Sequence, residues 1–112
     1  MNRKFFWVVN SINSAFWKLG VVEGLYCYIG NECNAYGSMK AGKLNGFNVI
    51  ELEQSTVYGR FLDNLLHGMA VFRNPELVEI VEYCRGDVIA IKKSEEFTRS
   101  LFLNIIGRLF PD

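Results

Sequence analysis

The clearest structural signal in the chain is residues 87–110, which read DVIAIKKSEEFTRSLFLNIIGRLF. The first seven of these residues are rich in β-branched side chains and predict a buried strand. Ser94 can then cap a helix that carries two glutamates in its first turn. In that helix Phe97 and Leu101 begin a row of apolar side chains spaced by four, which predicts one buried face. A strand followed directly by an amphipathic helix indicates a folded domain with mixed α and β structure.

Length and composition favour a single domain that spans residues 1–112. Half of the 112 residues are hydrophobic and 14% are aromatic, so the chain can bury a core of its own. The formal net charge is zero, which predicts no strong general attraction to nucleic acid or to an anionic membrane. No apolar stretch approaches the ~18–20 residues that span a bilayer, so we expect no membrane partner.

The cysteines predict a reducing compartment. Cys27, Cys33 and Cys84 are odd in number and form no C-x-x-C pair, so we expect three reduced thiols in a cytoplasmic protein. Together with His67, the single histidine, they do not match the ligand spacing of a zinc site. The sequence therefore predicts no metal and no other cofactor.

The remaining elements are predicted from periodicity. A helix is expected over 11–19, with 4–10 left open between helix and strand, and strands are expected in 20–30 and 47–53. Ser55 to Gly68 and Asn74 to Arg85 have apolar residues at helical spacing with capping residues at their ends. We found no internal repeat. These assignments predict an α+β protein, a single compact domain with a small sheet and three to four helices, or an all-α protein if 20–30 and 47–53 are helical.

The candidate binding residues are acidic. If 74–85 is a helix, Glu76, Glu79 and Glu82 advance by three and line its solvent side, where a basic protein could dock. Glu51 and Glu53, on the predicted strand 47–53, are candidates to extend this row. Solvated helix and strand faces also carry such charges, so the pattern alone does not distinguish a docking surface from ordinary surface.

Two other functions remain open at this point. A small hydrolase or transferase could use Glu51 and Glu53, or a cysteine activated by His67. Alternatively, the alternating Tyr26 and Tyr28 could form a stacking face for a nucleic acid or another ligand. Neither pattern is specific, because paired carboxylates and alternating tyrosines are common on strands.

The strand Val88–Ile91 and the Ser94–Phe97 helix start resemble the close of many bacterial immunity proteins, of the SMI1/KNR4-like or contact-dependent inhibition type. The resemblance covers residues 87–106. It implies a small cytosolic inhibitor that occludes the active site of a cognate toxin, for example a nuclease, without catalytic residues of its own. Its partner would be that toxin, with no direct contact to nucleic acid. We therefore predict a non-enzymatic, protein-binding immunity protein whose partner is a basic toxin.

Overall fold

The computed structural model describes residues 3–111, which form one seven-stranded antiparallel sheet and two helices. Every strand pairs with the next strand in the chain, so the sheet is a simple meander in the order β1 to β7. No helix within 3–111 is long and apolar enough to cross a membrane. The elements are α1 (Arg3–Lys18), β1 (Gly24–Ile29), β2 (Asn34–Lys40), β3 (Lys43–Glu51), β4 (Thr56–Leu62), β5 (Leu65–Arg73), β6 (Leu77–Cys84), β7 (Asp87–Glu96) and α2 (Arg99–Leu109).

The two helices cover opposite faces of the sheet. Val57 of β4 belongs to the apolar cluster beneath α1, whereas its neighbour Tyr58 packs against the cluster beneath α2. Successive residues of a strand point to opposite faces, so the two clusters lie on either side of the sheet. Helix α1 contributes Phe5, Val8, Val9 and Ile12 to the first cluster, and α2 contributes Phe102 and Ile105 to the second.

The predicted fold class is therefore wrong. The sequence analysis predicts a small sheet with three to four helices. The described residues instead form a seven-stranded sheet with two helices, one before the first strand and one after the last. The strands assigned in 20–30 and 47–53 exist as β1 and β3, and 4–10 belongs to helix α1. The error lies in the two segments predicted to be internal helices, 55–68 and 74–85.

Residues 55–68 form β4 and the start of β5. Val57 and Phe61 suggested a helix because they are four residues apart, but residues four apart also share one face of a strand. Both are buried in the cluster beneath α1. Asp63 and Asn64 have φ values of 47° and 72°, so they form the tight turn of a hairpin and not a helical turn.

Residues 77–84 form β6, which is covered on both faces. Ile80 belongs to the cluster beneath α2 and Val81 to the cluster beneath α1, so consecutive residues are apolar and the usual alternation is lost. The capping role expected of Asn74 is present in another setting. Its Oδ1 accepts hydrogen bonds from the backbone N–H groups of Glu76 and Leu77, both at 2.8 Å, and so closes the turn before the strand.

The C-terminal strand is longer than the sequence predicts and is exposed instead of buried, and the last helix is shorter. Ser94, Glu95 and Glu96 pair with β6 instead of opening the helix. Thr98 is the N-cap, and its Oγ1 accepts a hydrogen bond from the backbone N–H of Leu101 at 3.2 Å. Phe97 and Leu101, the predicted core residues, are half-buried, whereas Phe102 and Ile105 occupy the core.

The hairpins repeat at an interval of 22 residues, although no repeat was recognised in the sequence. In the hairpins β2–β3, β4–β5 and β6–β7, which have two-residue turns, the first turn residue has a positive φ, at Ala41, Asp63 and Arg85, positions that are 22 apart. The second turn residue donates its N–H to a carbonyl 20 positions earlier in every case: Gly42 to Val22, Asn64 to Leu44 and Gly86 to Leu66. One hairpin per repeat, stacked on its neighbour, is the organisation of an elongating repeat fold.

Candidate binding site

The acidic row expected on residues 76–82 does not exist as one surface. These residues lie on or beside β6, where neighbouring side chains alternate between faces. Glu79 pairs with Phe72 on the side of α1, whereas Glu82 pairs with Met69 on the side of α2. Glu82 is also 3.3 Å from Lys92 Nζ in an ion pair. Residues 77–84 form a strand and not the predicted helix, so the predicted stripe of Glu76, Glu79 and Glu82 on one side of a helix is wrong.

The meander instead brings another set of carboxylates together at one end of the sheet. The β1–β2 turn and the β3–β4 turn are adjacent there, because Asn34 pairs with Glu51. Between them lies a cleft of about 600 Å³ lined by residues 30–34 and 51–53. Glu32, Glu51 and Glu53 line this cleft, and no basic residue among the side chains that the structure describes does. We call this surface the acidic cleft.

Helix α1 carries an exposed tryptophan one turn before a residue that lines a depression next to the acidic cleft. Ser11 of α1 and Glu32 both line a second depression, of about 240 Å³, that adjoins the same turn. Trp7 lies one helical turn before Ser11, and its backbone carbonyl accepts a hydrogen bond from Ser11 Oγ at 2.9 Å. The Trp7 side chain is 69% exposed. Carboxylates can bind a lysine or arginine side chain by ion pairing, and an exposed indole can bind one by cation–π contact.

The cysteine in the cleft is poorly suited to nucleophilic chemistry. Cys33 is buried, and burial raises the pKa of its thiol, with the charge of Glu32 as a further cause in the same direction. A raised pKa keeps the thiol protonated at neutral pH, whereas the thiolate is the nucleophile.

We expect iodoacetamide to alkylate Cys33 more slowly than the exposed Cys27 and Cys84 at pH 7.5. Peptide mass spectrometry on the folded protein would give the three rates separately. The unfolded protein in urea is the control, because there the three rates should converge. A Cys33 that reacts fastest when folded would support a nucleophilic role and contradict this assignment.

His67 is engaged with the backbone. It lies on β5, and its Nδ1 accepts a hydrogen bond from the backbone N–H of Arg85 at 3.1 Å. This bond places the proton of the neutral imidazole on Nε2, so neither nitrogen offers a free lone pair for a thiol. Cys84 is the cysteine nearest to His67 in the sheet, because Cys84 follows Tyr83 and Tyr83 pairs with Gly68, the residue after His67.

The tyrosines proposed as a stacking face are covered by α1. Tyr26 is buried, and the ring of Phe16 packs edge-on against it with 5.3 Å between the centroids. The same ring lies 6.5 Å from the half-buried Tyr28. Burial also raises the pKa of Tyr26. These rings are core residues in the structure, so they do not present a face to a base.

Of the acidic-cleft residues, Glu51 and Glu53 were predicted from the sequence, whereas Glu32 was missed, as was the exposed Trp7 on α1. Gly30-Asn31 directly follows the strand predicted in 20–30. A hairpin at this turn would place Glu32 at the same end of the sheet as Glu51 and Glu53. Trp7 fell in the segment left open between helix and strand. Among residues 3–111 no group of three or more histidine, cysteine or acidic residues is placed to hold a metal ion.

Comparisons of the chain with protein-family models, with curated proteins and with solved structures find no match.

Proposed function

We propose that this protein acts by binding another protein, and that a basic segment of the partner enters the acidic cleft. The observation that carries this proposal is the convergence of Glu32, Glu51 and Glu53 on one cleft whose described lining contains no basic residue. Carboxylates that converge in this way attract a cationic partner and raise its association rate. Trp7, exposed on α1, is an aromatic side chain of the kind that dominates many protein interfaces.

The resemblance described above, now limited to a C-terminal strand followed by a final helix that starts after Thr98, favours a bacterial toxin as the partner and inhibition as the outcome. A toxin that cleaves nucleic acid needs a basic active site to bind phosphate, and an acidic inhibitor can occlude such a site. Occlusion requires complementary shape and charge but no catalytic group. This mechanism agrees with the raised pKa of Cys33 and with the backbone hydrogen bond of His67.

The direct test is a growth assay with the protein encoded by the adjacent gene as the candidate toxin. Cells that express the candidate should stop growing, and co-expression of this chain should restore growth. The variant Glu51→Lys, Glu53→Lys should abolish the rescue and weaken the purified complex at least tenfold, because it reverses two charges at the cleft. The affinity of the complex should also depend less on salt than that of the wild type.

The matched control is Glu23→Lys, Asp87→Lys, which makes the same change in net charge outside the cleft. Both of these side chains are exposed, so the control should fold and rescue growth as the wild type does. Circular dichroism on both variants checks folding. Equal loss of rescue in the two variants would mean that net charge matters and the cleft does not. An adjacent gene product that is harmless and does not bind would contradict the toxin assignment.

A further inference from the structure

Strand β1 forms an open edge of the sheet, and the 22-residue repeat explains why. In the 22-residue repeat, β1 is equivalent to β3, β5 and β7. Each of those three strands has a strand before it, β2, β4 or β6, with which it pairs. The segment 22 residues before β2 lies in α1, which packs on the face of the sheet instead of beside β1. Among the strands of the described chain, β1 therefore pairs with β2 alone.

The backbone of β1 is arranged to accept another strand. Gly30 donates its N–H to the carbonyl of Cys33 at 2.9 Å, which closes the β1–β2 hairpin with a hydrogen-bonded pair. Hydrogen-bonded and non-hydrogen-bonded pairs alternate along an antiparallel ladder, so Tyr26 and Tyr28 bond to β2. The N–H and C=O groups of Leu25, Cys27 and Ile29 consequently point away from the sheet.

The side chains of the same three residues are also exposed. Leu25 is 88% exposed and Ile29 is 81% exposed, on the face opposite α1. Strand β1 contains no charged residue, no proline and no register shift. Charged residues, prolines and register shifts normally protect an edge strand from pairing, and β1 lacks all three.

The opposite edge of the sheet has such protection. Strand β7 pairs with β6 through two register shifts, and it carries Lys92 and Lys93. Bulges twist an edge away from a flat partner, and lysines oppose the approach of a second strand. The two edges therefore differ in the property that controls strand addition.

We propose that two copies of this chain pair antiparallel through β1, about a two-fold axis at Cys27. In this register Leu25 of one copy lies opposite Ile29 of the second, Tyr26 opposite Tyr28, and Cys27 opposite Cys27. The pairs 25–29, 27–27 and 29–25 contribute about six backbone hydrogen bonds between the chains. No like charges are brought together, and the four exposed aliphatic side chains pack on one face of a continuous fourteen-stranded sheet. The β1 sequence is self-complementary in this register, which favours a second copy over an unrelated strand.

The oligomeric state tests this proposal. Sedimentation velocity over a concentration series should show a dimer for the wild type. The variant Leu25→Lys, Ile29→Lys should be monomeric, because it places lysine opposite lysine in the pair. Ile91→Lys on β7, where the side chain is 67% exposed, is the matched control and should remain dimeric. A wild type that is monomeric at every concentration, or a dimer lost only in the β7 control, would overturn the proposal.

Cross-linking tests the register independently of any variant that might unfold. In Cys33→Ser, Cys84→Ser protein, diamide should join Cys27 to Cys27, since paired strands hold the Cα atoms about 5.5 Å apart. When two thiols form a disulfide they lose two protons and two electrons, and diamide accepts both. The dimer band should disappear with dithiothreitol and be absent when Cys27 is also replaced by serine. Failure to cross-link, together with a dimer that persists in Leu25→Lys, Ile29→Lys, would exclude this register.

Discussion

Replacing Ile12 by alanine is expected to lower the free energy of unfolding by about 2–5 kcal/mol. Ile12 is fully buried between α1 and the sheet, in the cluster that also contains Leu44 and Ile50. The substitution removes apolar contacts and leaves a cavity, because a close-packed core relaxes only in part. Urea denaturation followed by circular dichroism would measure the loss.

Phe6→Ala is the matched control for this prediction. Phe6 lies on the same helix but is 56% exposed, so its truncation should change the stability by less than about 1 kcal/mol. Similar losses in both variants would mean that α1 does not dock with Ile12 towards the sheet. A large loss for Phe6 alone would place its ring in the core or in an interface between copies.

The substitution Gly37→Ala is expected to destabilise the protein by about 1–3 kcal/mol. A β-carbon at this position would lie 2.5 Å from the carbonyl oxygen of Phe47 and still closer to Oδ1 of Asn48. The backbone φ of 156° at Gly37 adds to the cost, because residues other than glycine rarely adopt this angle. Asn48 is fully buried and donates from Nδ2 to the carbonyls of Ser38 and Gly46, so it cannot move away without breaking these bonds.

Gly107→Ala is the corresponding control and should act in the opposite direction. Gly107 lies inside α2 with open space where a β-carbon would be, so alanine should stabilise the protein by roughly 0.5–1 kcal/mol. Thermal melts of both variants would show the expected opposite shifts in Tm. A neutral Gly37→Ala variant would show that β2 and β3 can separate locally at this point.

The sequence predicted strands at β1, β3 and β7, predicted none at β2, and predicted helices in place of β4 and β6. Strand β1 alternates clearly because Tyr26 is buried while Leu25 and Cys27 are exposed. Strands β4 and β6 do not, because α1 and α2 bury opposite faces of the sheet there and residues of both parities are apolar. The turns were also hard to recognise. Arg85-Gly86 resembles the end of a helix as closely as it resembles a tight hairpin turn.

The candidate site was predictable only in part for a related reason. Glu51 and Glu53 were identified as charged residues beside a strand, which needs no knowledge of topology. Their meeting with Glu32 depends on the pairing of β2 with β3, and this long-range arrangement was not recognised. The row Glu76, Glu79 and Glu82 failed because a spacing of three joins residues on a helix but separates them on a strand.

The successive pairing of hairpins also bears on how the chain folds. The most distant partners within the sheet are Leu77 and Glu96, only 19 positions apart. The contact order of the sheet is therefore low for a protein rich in strands, and loops close at small entropic cost. We expect folding to begin at any of the tight turns and to spread along the chain, faster than in β-sandwiches of similar size. A hairpin of one repeat length could be duplicated within the sheet without disturbing the order of the strands around it.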